Sequence, residues 1–100
     1  MIRVAICDDD ISFTGSIEEQ LHTLTSSLSI PLETETFFNG NSLLAELHRG
    51  IRFDIIFMDI EMPNIDGISV AKQLRLLDPA TLLVYISSYD QYLRQLFEVG

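Results

Sequence analysis

Four short apolar runs recur along the chain, each followed by a stretch with helical spacing. Ile2 to Cys7 (IRVAIC) is β-branched and bounded by three acids, so it reads as a buried strand. Leu32 to Phe38 alternates apolar or Thr positions with Glu before turning apolar, which fits a strand with one wet side at a sheet edge. Phe53 to Ile60 and Thr81 to Ser87 are apolar runs that fit strands covered on both faces. After the first run, Phe13, Ile17, Leu21, Leu24 and Leu28 mark one face of a helix. Asp10 or Ser12 can cap its start, and Ser29 to Pro31 ends it. Asn39-Gly40 signals a turn; Asn41 or Ser42 then caps a helix to His48 with Leu43, Leu44 and Leu47 inward, stopped by Gly50. A third helix runs from Gly67 to about Leu77 with Val70, Ala71, Leu74 and Leu77 inward, and Asp78-Pro79 terminates it. A fourth spans Tyr89 to Val99, with Leu93, Leu96 and Phe97 on one side.

Strands alternating with helices predict an α/β fold, a doubly wound parallel sheet with helices on both faces. The 100 residues fit one domain, 1–100, and a hydrophobic fraction of 47% is enough to build a core. The formal net charge of -9 and six scattered basic residues argue against direct nucleic-acid binding, which needs clustered Lys and Arg. One cysteine, Cys7, excludes an internal disulfide framework and a Cys-based zinc site; it reads as a small core residue. No apolar run reaches the about 18 residues of a membrane span, and no basic segment precedes a long apolar one at the N-terminus. A cytoplasmic protein with no membrane partner is the expectation.

The polar residues at the strand ends carry the chemistry. Asp8, Asp9 and Asp10 end the first strand, Asp59 the third, and Ser87 and Ser88 the fourth. In an open parallel sheet these ends share one edge, which is where ligands bind. Carboxylates crowded there repel one another, and a divalent cation relieves the repulsion; all-oxygen ligands with room for waters suit Mg²⁺. Such a site suits phosphoryl transfer to a carboxylate, with Asp59 as nucleophile and Ser87 bonding a phosphoryl oxygen.

AICDDD, FMDIEMPNIDG and the hydroxyl-ended VYIS together resemble the receiver domain of two-component response regulators over essentially the whole chain. The resemblance implies a flavodoxin-like fold, (βα)4 of a complete (βα)5, with strand order 2-1-3-4-5. It implies that Asp59 accepts a phosphoryl group from a sensor histidine kinase. Asp9 and Asp59 would ligate Mg²⁺ directly, Asp8 through water, and Glu61 through its backbone carbonyl. Ser87 matches the hydroxyl that moves toward the phosphoryl group. The lysine that pairs with the phosphate would follow a fifth strand beyond Gly100, so the domain reads as incomplete at its C-terminus; Lys72 does not match that position. VYISSYDQYLRQLFEVG is similar to receivers joined to a LytTR-type DNA-binding domain. DNA would then be met only through an output domain outside this chain, and a homodimer stays open. By this reading the protein is a signalling phosphoacceptor, not mainly an enzyme.

Two other readings stay open on the sequence. The fold could serve as a binding module that needs no phosphate. Alternatively Asp8-x-Asp10-x-Ser12 loosely matches the motif of a haloacid-dehalogenase-type phosphatase, with Asp8 as nucleophile. The bland readings of single residues are these: Asp66 and Pro63 shape the turn, Gly67 permits a close or unusual backbone path, and His22 and His48 lie at the surface or its boundary.

Overall fold

A computed structural model describes residues 1–62 and 65–86. Pro63, Ser87, Ser88 and the helix expected over 89–99 lie outside the described residues. The elements are β1 (Ile2–Cys7), α1 (Ile11–Ser27), β2 (Leu32–Phe37), α2 (Gly40–His48), β3 (Ile55–Asp59), α3 (Gly67–Leu77) and β4 (Leu82–Ile86). All pairs are parallel and the order is β2-β1-β3-β4, the flavodoxin-like arrangement. β2 is an edge strand, as its alternating Glu residues predict.

Strand periodicity sorts the side chains onto two faces. Ala5, Cys7, Phe37, Ile56 and Met58 pack against Leu43, Leu44 and Leu47 of α2 and Val70 and Leu74 of α3. The rings of Phe37 and Phe53 meet edge to face, with centroids 5.9 Å apart. The inward faces expected for α2 and α3 are therefore buried, with Leu77 at the end of α3 half-buried against the same core.

The face expected for α1 is not. Thr14 is its one fully buried residue, while Ile17 and Leu21 are half-buried and Phe13, Leu24 and Leu28 are exposed. The reason is lateral. α1 lies against β1 and β2, where Val4 and Ile6 are buried. On the same side of β3 and β4, Ile55, Phe57, Val84 and Ile86 stay half-buried and Leu82 is 57% exposed. Among the described residues no second helix covers that half of the sheet.

The structure chooses between the two caps expected for α1 and corrects the one expected for α2. Asp10, not Ser12, caps α1, accepting the Phe13 N–H at 3.1 Å. Asn39, not Asn41 or Ser42, caps α2: it is extended (φ -155°, ψ 162°) and its side chain accepts the Ser42 N–H at 2.9 Å. The turn residue itself supplies the oxygen, so the helix begins earlier than expected. β3 is also shorter than the Phe53 to Ile60 run, and Phe53 and Asp54 precede it.

Arg52 ties the C-terminal ends of two helices together. Its guanidinium donates to Leu47 O of α2 at 2.9 Å, to Ile51 O at 3.0 Å and to Leu77 O of α3 at 3.2 Å. Leu47 O and Leu77 O lie in the last turns of α2 and α3, at the negative pole of each dipole. Arg52→Ala is expected to cost about 1 kcal/mol in urea unfolding. Arg52→Lys should recover less than half of that, because one ammonium lacks the fork that spans both helices. A lysine variant as stable as wild type would refute the bridging role.

Candidate metal centre

The carboxyl end of β1 delivers Asp8 and Asp9, and the carboxyl end of β3 delivers Asp59. The strands are neighbours in register, Cys7 beside Met58, so the acids that follow them meet. Ligand oxygens of Asp8, Asp9 and Asp59 all lie within 4.8 Å of one another. Asp8 is buried, Asp59 half-buried and Asp9 exposed, so the cluster opens to solvent on one side.

Two backbone N–H groups orient the deeper carboxylates. Asp10 N donates to Asp8 Oδ1 at 2.9 Å, and Glu61 N donates to Asp59 Oδ1 at 3.2 Å. These bonds favour the ionised forms but do not prevail. Burial pushes Asp8 above the ordinary range, helped by the charges of Asp9 and Asp10. Burial, then the charge of Asp8, raises Asp59 to about 6. Beneath them the Cys7 thiol is pushed up to about 12 by burial and by the charges of Asp8 and Asp59. It is a core residue, contacting Asn39 O at 3.6 Å and Met62 Sδ at 3.8 Å.

The ion pairs among the described residues, Arg3 with Glu33 and Arg49 with Glu46, lie elsewhere. Three convergent carboxylates, two with pKa raised by burial and then by their neighbours' charge, are the donor set a hard divalent cation fits.

Gly67, at the start of α3, sits tightly against the end of β3. Gly67 N donates to Ile60 O at 2.8 Å. A Cβ at Gly67 would sit 2.0 Å from Asp59 O and 2.8 Å from Asp59 C. The glycine is thus needed for close approach. Asp66 caps α3, accepting the Ser69 N–H at 2.8 Å, which is the turn-shaping role expected of it. Met62 is buried against Cys7 and anchors the loop. Asp10 spends its carboxylate on the α1 cap, which leaves the D-x-D pattern without its second acid at the site. His22 and His48 are exposed.

The structure therefore joins Asp8, Asp9 and Asp59 and places the Glu61 backbone beside Asp59. Ser87 lies outside the described residues. The sequence reading missed the two orienting N–H groups, and it expected a close backbone path at Gly67 without naming Asp59 as the group approached. The first had a visible signal, a carboxylate two residues before a turn or helix cap.

Residues 4–100 match the model of the response regulator receiver domain. The chain belongs to that family. An uncharacterized response regulatory protein of Vibrio parahaemolyticus is 45% identical over 96 residues, spanning 94% of this receiver and 37% of that protein. The sensory transduction protein LytT of Oceanobacillus iheyensis is 38% identical over 63 residues, 61% of this chain and 25% of that protein. The chain thus spans well under half the length of these relatives. Among solved structures, the response regulator TrrA of Thermotoga maritima, in complex with Mg²⁺-BeF, superposes with a TM-score of 0.81 at 26% identity, covering 96% of this receiver and 77% of that chain.

No helix among the described residues is long and apolar enough to cross a membrane.

Proposed function

We propose that this receiver takes a phosphoryl group on Asp59 from a sensor histidine kinase and passes the signal to an output domain. The observation that carries the reading is the meeting of Asp8, Asp9 and Asp59 within 4.8 Å at the strand ends. Held by Asp8, Asp9, Asp59 and the Glu61 carbonyl, Mg²⁺ would neutralise charge on the transferring group. An Asp59 oxygen attacks the phosphorus of a phosphohistidine and an acyl phosphate forms. The P–N bond breaks and its electron pair returns to the imidazole. The half-buried Asp59 is reachable from solvent and is aimed by the Glu61 N–H. Ser87 is the hydroxyl that would bond the phosphoryl oxygens and report the change to neighbouring elements.

The similarity to LytT supports a DNA-binding, transcription-regulating output of the LytTR type, beyond the domain at 1–100 and in the cytoplasm. The receiver would itself touch the kinase, and DNA only through that output.

The test is incubation with Mg²⁺ and a small phosphodonor, read by intact mass. One phosphoryl group per chain is expected in wild type and none in Asp59→Asn. Label that survives Asp59→Asn would overturn the assignment, as would a full-length wild-type protein that takes no label.

A further inference from the structure

We propose that Asp10 is a positioning residue of the metal site: by capping α1 it aims its own backbone N–H at Asp8, while its carboxylate stays out of the ligand set. The inference rests on the Mg²⁺ reading above. Asp10 is extended, with φ -87° and ψ 104°. Its side chain accepts the Phe13 N–H at 3.1 Å and its carbonyl accepts the Thr14 N–H at 3.0 Å. Thr14 is buried and its hydroxyl donates to Ile11 O at 2.9 Å, which fastens the first turn of the helix. Asp10 is therefore held from two directions, and its N–H has a fixed heading. That N–H meets Asp8 Oδ1 at 2.9 Å.

Asp8 is the buried member of the three acids. Fixing one of its oxygens restricts rotation of the carboxylate, and so sets how the group faces Asp9 and Asp59. Metal sites gain affinity when partners behind the ligands hold them in place. Here the partner is a peptide N–H, and the cap decides where it points. Asp59 has the same two-residue arrangement with the Glu61 N–H, at the longer distance of 3.2 Å. Without the cap, the Asp10 peptide can turn and Asp8 loses its fixed rotamer.

Charge and capping can be separated, since Asp10→Asn, Asp10→Ser and Asp10→Ala all remove the same charge, but Asn and Ser still cap and Ala does not. The purified protein is titrated with Mg²⁺ alone by calorimetry. The Asn and Ser variants are expected to bind alike, and the Ala variant about three- to tenfold more weakly than either. Asp10→Gly, better tolerated at a helix start, should bind like Ala and serves if the Ala variant does not fold. Asn39→Ala, which removes the α2 cap instead, should keep wild-type Mg²⁺ affinity and so controls for lost stability. Equal binding by the Asn, Ser and Ala variants, with wild type binding Mg²⁺, overturns the positioning role alone. A wild type that binds no Mg²⁺ removes the metal reading and this inference with it.

Discussion

Gly67→Ala is expected to destabilise the receiver by about 3 kcal/mol and to weaken Mg²⁺ binding with it. The added methyl would lie 2.0 Å from Asp59 O, 2.8 Å from Asp59 C and 2.9 Å from Ile60 Cα. All three neighbours are backbone, so no flexible side-chain end can yield. Either α3 must retreat from β3 or the end of β3 must shift. Both routes strain the 2.8 Å bond from Gly67 N to Ile60 O. A Gly to Ala change inside a helix gains up to about 1 kcal/mol from propensity, which is smaller than the overpacking cost and cannot reverse the sign. Urea unfolding should show a lower midpoint with an unchanged slope. Gly15→Ala is the contrast, because nothing lies within 4 Å of a Cβ there; it should be neutral or stabilising. A Gly67→Ala variant within 0.5 kcal/mol of wild type would show, by the same propensity reasoning, that the β3–α3 contact is looser than the structure has it.

Asp59→Asn is expected to stabilise the metal-free receiver at pH 7.5 by about 1–2 kcal/mol and to leave it unchanged at pH 4. Folding raises Asp59 from 3.8 to about 6, chiefly by burial and then by the charge of Asp8. The native state thus holds this proton more tightly than the unfolded chain does. The stability linked to it is complete below the unfolded value near 4 and is lost as pH rises through about 6. The full conversion would be about 3 kcal/mol, which solvent screening of the partly exposed carboxylate reduces to about 1–2. Asp8 shifts in the same direction and adds to the trend. Mg²⁺ should therefore raise the melting temperature of wild type strongly at pH 7.5 and little at pH 5, where protons compete for the same oxygens. Asp59→Asn should lose most of that gain. Metal-free stability that is flat from pH 4 to pH 8 in wild type would contradict the crowding of these acids.

Much of the fold is legible in the residues because it depends on local spacing. The short apolar runs at Ile2 to Cys7 and Thr81 to Ser87 read as strands from their length and β-branched content. The Leu43, Leu44 and Leu47 face of α2 is fixed by a period of 3.6. Asp59 stands out because a carboxylate at the end of such a run has no packing role. The α1 reading failed where local pattern is insufficient. Phe13, Leu24 and Leu28 have helical spacing, yet what covers them depends on elements packed from elsewhere in the fold. The pattern leaves Asp10 and Ser12 both open as the α1 cap and places the α2 cap two or three residues late, at Asn41 or Ser42 instead of Asn39, because several hydroxyl, amide and acid side chains compete and only backbone angles select one.

By itself, the sequence determined the alternation of strands and helices, the strand ends that carry acids, and the receiver family. These follow from periodicity and from a motif contiguous in the chain. The strand order was implied by the resemblance, but tertiary structure alone decided that Asp8 and Asp9 meet Asp59, 50 or more residues away, with ligand oxygens within 4.8 Å of one another. It also decided the bridge of Arg52 between two helix ends, the seat of Gly67 against Asp59 O, and the turn that aims the Asp10 N–H at Asp8. The physical reason is common to all four. Each depends on distances and directions between groups, set by packing across the sheet and by backbone angles that a one-dimensional pattern does not contain.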